Sequence, residues 1–219
     1  MQGFPEDHKT EAGLAELDLE TGKVRRIALV PADGREHVLG DLVLAADGTV
    51  FATDSVAQVV WRLAPGAAAP ERWAESIDFE SLQGAAFSAD ERTLYVTDHV
   101  NGLLRVDVAT RAVRRLPAPP DTTLLGVDAL VRAPDGSLIT VQNGVRPMRV
   151  LRLTLDAAGE SISQVGVLEA AHMTMAAPAL GCIVKNEFFF IGNAGWSRFE
   201  TKVPTATPPR PVPVFHTKL

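Results

Sequence analysis

The chain has 219 residues and a mass of 23.4 kDa, with 46% hydrophobic and 22% charged residues and a mean hydropathy of +0.08, which excludes a disordered tail or a fibre and allows one large domain or two small ones. Lys and Arg number 21 against 27 Asp and Glu, giving a net charge of −6, and no basic run exceeds a pair such as Arg25-Arg26 or Arg114-Arg115, so nucleic acid is not an expected partner. No apolar run approaches the ~18 residues of a membrane span, so no membrane partner is expected, and the single cysteine, Cys182, excludes an internal disulfide framework and a Cys-based zinc knuckle.

The first residues, MQGFPEDHKTEAG, carry neither a basic n-region nor an apolar h-region, so no signal peptide is expected there. Residues 11 to 31 then read as two strands around the turn Asp18 to Arg26. The same segment recurs at Asp107 to Arg115, with Asp, Thr, Val, Arg and Arg in identical places 89 residues on (107 − 18), two periods of about 44. A second pattern appears as DLVLAADGTVFATD (41 to 54), QGAAFSADERTLYVTD (83 to 98) and DALVRAPDGSLITVQN (128 to 143), with a looser copy, PALGCIVKNEFFFIGN, ending at Asn193.

Each copy reads as a hairpin. β-branched and aromatic residues flank Asp47-Gly48, Asp135-Gly136 or Lys185-Asn186, the turn chemistry that short antiparallel connections need. An alternating third strand follows (Val60 to Leu63, Leu104 to Val106, Leu151 to Leu153), then a weaker fourth such as Val113 to Leu116 or Ser163 to Leu168. Four short antiparallel strands per repeat predict an all-β fold, a β-propeller of four-stranded blades, in preference to a β-sandwich, which needs no sequence period. The expected divisions are a half blade at 11–31 and blades at about 38–76, 80–118, 124–170 and 176–219, about four and a half in one domain. The last is expected to bring an outer strand, Val212 to His216, after the linker Pro208-Pro209-Arg210-Pro211. A half blade leaves edge groups unpaired, so oligomerisation through it is expected.

In an antiparallel hairpin the start of the first strand lies beside the end of the second, so Asp41 should neighbour Asp54, Gln83 Asp98, and Asp128 Asn143, all on one side of the propeller. His99 is expected to join them, with Asn193 and His172 as further candidates. The ring is rich in oxygen and poor in cations, which suits a hard ion such as calcium and disfavours zinc. Blander roles compete: Asp54 and Asp98 as strand-end acceptors of backbone hydrogen bonds, Asn143-Gly144 as a turn, and His99 as a tunnel-mouth residue or a loop cap. His8, His37 and His216 read as solvated, Cys182 as a small buried hydrophobe, and Trp61, Trp73 and Trp196 as packing between blades. No GxSxG, P-loop, Rossmann fingerprint or HExxH occurs.

The three hairpins, with LLGVDALVRAPDGSLITVQNG and LGCIVKNEFFFIGNAGW, resemble the gluconolactonase and senescence-marker-protein (regucalcin) family of six-bladed propellers over nearly the whole chain. Six blades of about 44 residues come to about 264, so the resemblance implies that about one and a half N-terminal blades are missing and that Met1 is a misplaced start or the chain a fragment. It also implies a small-molecule substrate, hydrolysis of lactones or, in some branches, phosphotriesters, and a divalent cation, most often calcium, held at the starts of innermost strands. The family's later Asp falls on Asp128, which the resemblance makes both metal ligand and the carboxylate that activates water. Its two middle Asn positions fall on Asp41 and Gln83, and its first-blade Glu has no counterpart. The competing expectation is a non-catalytic propeller that binds a small molecule or a protein on the same ring.

Overall fold

The computed structural model describes residues 11–195 and 211–219. Expectations placed on His8, Trp196 and Pro208 to Arg210 lie outside the described residues. The fold is an all-β propeller arc whose described residues contain strands, turns and no helix. Strands β1 (Gly13–Leu17) and β2 (Val24–Leu29) form a two-stranded sheet. Three four-stranded antiparallel blades follow, each in simple meander order. The first holds β3 (Leu39–Leu44), β4 (Val50–Asp54), β5 (Val59–Leu63) and β6 (Glu71–Glu75). The second holds β7 (Leu82–Phe87), β8 (Thr93–Asp98), β9 (Gly102–Asp107) and β10 (Val113–Leu116). The third holds β11 (Val127–Arg132), β12 (Leu138–Gln142), β13 (Arg149–Leu155) and β14 (Ile162–Ala170). The last sheet is three-stranded, from β15 (Gly181–Val184), β16 (Glu187–Ile191) and β17 (Val214–Lys218).

The sequence repeat is visible as repeated chemistry. In each first hairpin an Asp side chain caps the turn: Asp47 accepts from the Thr49 amide (2.8 Å), Asp90 from Arg92 (3.2 Å) and Asp135 from Ser137 (3.0 Å). The loop between β1 and β2 reproduces the one between β9 and β10, with Asp18 accepting from Thr21 N (2.8 Å) and Asp107 from Thr110 N (2.7 Å). The two-stranded sheet thus repeats the loop chemistry of the outer strand pair of the second full blade.

Stability comes from the seams between sheets. Phe51, Trp73, Phe79 and Phe87 fill the seam between the first two full blades, with Phe51 edge-on to Trp73 (4.8 Å) and to Phe87 (5.2 Å). Tyr95, Leu103, Leu130 and Leu151 fill the next seam, and Ile139, Val150, Phe188 and Phe190 the one after it. Leu14 and Val30 pack on Trp61, Val59 and Ala52. Trp61 and Trp73 therefore act as the sequence predicts. Cys182 does not: it is exposed, because on β15 it takes the outward register while Phe188 and Phe190 of β16 take the face turned to the third blade.

Candidate functional site

The hydrogen-bond register defines which inner-strand residues are equivalent. Leu39 pairs with Asp54, Leu82 with Asp98 and Val127 with Gln142, and after each pair the inner strand bulges by one residue. The bulges hold Gly40-Asp41, Gln83-Gly84 and Asp128-Ala129. Two corrections follow. The position equivalent to Gln83 and Asp128 is Gly40 in the first blade, and Asp41 lies one residue further along, level with Gly84 and Ala129. The residue level with Asp54 and Asp98 is Gln142, keeping a spacing of 44 (98 − 54 and 142 − 98), whereas Asn143 is level with His99 and Ser55. A bulge shifts side chains relative to the sequence repeat, so a match of sequence alone slips by one.

The strand-end acids hold the architecture. Asp98 accepts from four backbone amides, Glu80 and Ser81 at Oδ2 (2.8 and 2.9 Å) and Val100 and Asn101 at Oδ1 (2.9 and 2.8 Å). Its acceptor capacity is taken up, which corrects its candidacy as a tunnel-face ligand. Asp54 takes the amides of Val38, Val56 and Ala57, the Trp61 indole (3.0 Å) and His37 Nδ1 (2.8 Å). Burial alone would raise its pKa, but these donors hold it below the usual carboxylate range. His37, expected in solvent, is buried between Asp54 and Asp33 (Nε2 to Oδ1, 3.0 Å) with Trp61 against its ring. His216 is solvated as expected, 60% exposed beside Glu187.

The threonines before these acids staple neighbouring blades. Thr53 Oγ1 accepts from Asp41 N (3.1 Å) and donates to Gln83 O of the next inner strand. Thr97 Oγ1 accepts from Gly84 N (2.7 Å) and donates to Asp128 O. The inner strands approach so closely that a Cβ on Gly84 would lie 2.3 Å from Leu130 N, so only glycine fits there. These staples set the bulge residues of successive blades side by side.

Asp41, Gln83, Asp128, Asn143 and His99 remain. Burial pushes the Asp41 carboxyl up to about 6; the Leu42 and Ala85 amides oppose this and the charge of Asp128 adds to it. Burial likewise raises Asp128, against a hydrogen bond from Asn143 and the presence of His99. Neither carboxyl has a Lys or Arg partner among the described residues. Asn143 Nδ2 donates to Asp128 Oδ2 (2.5 Å) and to Pro178 O (2.9 Å), and its Oδ1 meets His99 Nε2 (3.1 Å). Asn143 is therefore more than a turn residue. Gln83 Nε2 donates to Ser81 Oγ (3.1 Å). Asn193 spends its Oδ1 on its own turn, accepting from Gly195 N (2.9 Å), and the His172 ring lies against Phe215 (4.6 Å) with Nδ1 on Thr174 Oγ1 (3.1 Å). Neither bonds to this group.

Two raised carboxyls, Asp41 beside the charge of Asp128, together with the Gln83 amide oxygen offer oxygen donors of the kind hard cations favour. Among the described residues no three His, Cys, Asp or Glu side chains gather as a metal-binding group, so the fit to such an ion rests on Asp41, Asp128 and the Gln83 amide. Sequence reasoning named all five residues of this group, but it read His37 as solvated and gave Thr53 and Thr97 no role, because their roles need the register to be seen.

No protein-family model and no curated protein matches the sequence. Solved structures do match the fold. A gluconolactonase from Xanthomonas campestris is 20% identical over 80% of this chain and 60% of its own, with a TM-score of 0.56. A catalytically inactive histidine-to-alanine variant of virginiamycin B lyase from Staphylococcus aureus, solved with quinupristin, is 14% identical over 94% of this chain and 63% of its own, with a TM-score of 0.60. Hydrazine synthase of Kuenenia stuttgartiensis gives 14% identity, a TM-score of 0.62 and coverage of 82% of this chain and 49% of its own. The chain thus spans about half to two thirds of the length of these propellers, and at such identities the likeness is one of fold.

Proposed function

We propose that this propeller is a gluconolactonase-like hydrolase of small lactones, dependent on a divalent cation, most favourably calcium. The observation that carries the reading is the contrast among acids at one end of the inner strands. Asp98 is saturated by backbone amides and Asp54 by backbone amides together with Trp61 and His37, whereas Asp41 and Asp128 are raised by burial and have no Lys or Arg partner among the described residues. Half-buried acids whose pKa is raised at a cost to stability mark candidate functional sites.

Asp41, Asp128 and the Gln83 amide would hold the ion, which when bound polarises a lactone carbonyl. The chain's own work is to orient and deprotonate. Asn143 holds the Asp128 carboxyl in one position, from which Asp128 takes a proton from the attacking water and returns it to the leaving oxygen as the ring opens. The gluconolactonase and the lyase among the solved neighbours bring hydrolysis and elimination into the same fold, and a raised carboxyl serves as base in either.

The second reading, a non-catalytic binder, is favoured by Gly40, which offers no side chain at the position equivalent to Gln83 and Asp128. A thermal melt of chelated protein with and without millimolar calcium separates the two readings, since an ion bound only to the folded state raises the midpoint by mass action. A rise that disappears in Asp128→Ala, together with hydrolysis in a panel of aldonolactones, supports the enzyme. A cooperative melt blind to calcium, with no turnover, favours the binder.

A further inference from the structure

The proposed hydrolysis leaves one ionisable side chain of the ring without a task. His99 follows the end of β8, and its backbone is tied at both sides, its N–H donating to Ser81 O (2.8 Å) and its carbonyl accepting from Gly126 N (2.7 Å). Its ring lies against Gly144: a Cβ there would sit 2.7 Å from His99 Cε1, 2.8 Å from Nε2 and 2.5 Å from Gly126 Cα. The imidazole therefore has a floor of bare backbone and little room to turn.

Its Nε2 faces Asn143 Oδ1 at 3.1 Å. The opposite end of that amide is fixed by Pro178 O, 2.9 Å away, which can only accept a hydrogen bond, so the nitrogen must point to Pro178 and Asp128 and the oxygen to His99. An amide oxygen cannot donate. A neutral imidazole carries one N–H, which this geometry assigns to Nε2, leaving Nδ1 with its lone pair.

We propose that Asn143 is a positioning residue that fixes His99 in the Nε2–H form, so that His99 presents Nδ1 as an acceptor for a ligand hydroxyl or a water on the ring that holds Asp128. One side-chain amide thereby sets two groups, orienting the carboxyl through Nδ2 and the imidazole through Oδ1. The inference rests on the proposed reading of this ring as the working site, and it narrows the ligand to one that brings an O–H donor, as polyhydroxylated lactones do.

The test is a long-range ¹H–¹⁵N correlation spectrum of protein labelled at histidine, recorded near pH 8.5, above the usual imidazole range. The His99 signals are assigned by their loss in His99→Gln. The expected result is a single Nε2–H tautomer in the wild type and a mixture of tautomers in Asn143→Ala. An Nδ1–H form or a mixture in the wild type overturns the proposal and needs no variant to fold. So does an unchanged Nε2–H form in Asn143→Ala. Adding millimolar gluconate should move the Nδ1 resonance and leave the tautomer unchanged; a shifted tautomer or an unmoved Nδ1 overturns the ligand assignment. Lactone turnover is measured separately, so that its absence sinks the hydrolase while leaving the tautomer result standing.

Discussion

Replacing Asp41 with Asn should stabilise the protein at neutral pH and leave it unchanged in acid. The Asp41 carboxyl is raised from 3.8 to about 6 by burial, opposed by the Leu42 and Ala85 amides and assisted by Asp128. A raised carboxyl binds its proton more tightly in the folded chain than in the unfolded one, so stability falls as pH climbs from the unfolded value to the folded one. At ~1.4 kcal/mol per unit of pKa the full loss is about 3 kcal/mol. Partial contact with water trims this toward about 2 kcal/mol. Asn keeps the oxygen that accepts from Leu42 N (2.8 Å) and removes the charge. Urea titrations of both proteins with chelator, from pH 3.5 to pH 8, should therefore give equal stabilities near pH 3.5 that diverge through pH 6, with the variant ahead by about 2–3 kcal/mol, or about 4–12 °C in Tm. The acids whose pKa values are lowered, Asp33 and Asp54 among them, cancel in the difference. A difference independent of pH, or a variant weaker at pH 8, would refute the reasoning, because either means that Asp41 is solvated or paired.

Thr97→Val keeps the shape of a buried side chain but leaves Gly84 N and Asp128 O without their partner, and should cost about 1–3 kcal/mol by urea denaturation. Gly84→Ala drives a methyl to 2.3 Å from Leu130 N, a backbone atom that cannot yield, and should cost about 3 kcal/mol or abolish the cooperative transition seen by circular dichroism. Asp54→Ala strands the buried donors of His37, Trp61 and Ala57 and should cost about 3–5 kcal/mol at pH 7. Because the folded pKa of Asp54 is lowered, its contribution is complete above the usual carboxylate range and is lost as pH falls through the lowered value. The gap between this variant and the wild type should therefore narrow in strong acid.

The period, the hairpins and the outer-strand loop were legible because each repeats local chemistry. An Asp that caps its own turn is the same residue at the same offset in every blade, as Asp47, Asp90 and Asp135 are. What escaped was set by contacts between separate strands, within a blade or across blades. Asp33 lies only four residues before His37, but nothing local reveals that Asp54, 17 residues on, completes its enclosure, and nothing around Thr97 announces that the carbonyl of Asp128, 31 residues on in the next blade, is its partner. The bulges had the same effect on the ring. Spacings of 43 and 45 between inner-strand starts (82 − 39 and 127 − 82) average to the 44 seen between strand ends, so the slip that moves Asp41 past Gly40 is hidden in the period.

That slip bears on what the ring can do. If Asp41 occupied the same bulge position as Gln83 and Asp128, the three side chains would be copies of one geometry around the axis. One residue further along, the Asp41 carboxyl is steadied by the Ala85 amide of the next blade and still feels the charge of Asp128. The first blade thus contributes its acid from a different register, reaching toward the second blade. On its other side strand β7 packs closely on β11, because its own bulge ends in Gly84, where a Cβ would lie 2.3 Å from Leu130 N. The acidic pair therefore includes a departure from the repeat, the glycine at residue 40 that leaves the first blade's acid one residue further along. A chain that only packs blades would have no reason to keep two acids without a Lys or Arg partner, Asp41 alone at a cost of about 2–3 kcal/mol, when it saturates Asp54 and Asp98 a few residues away.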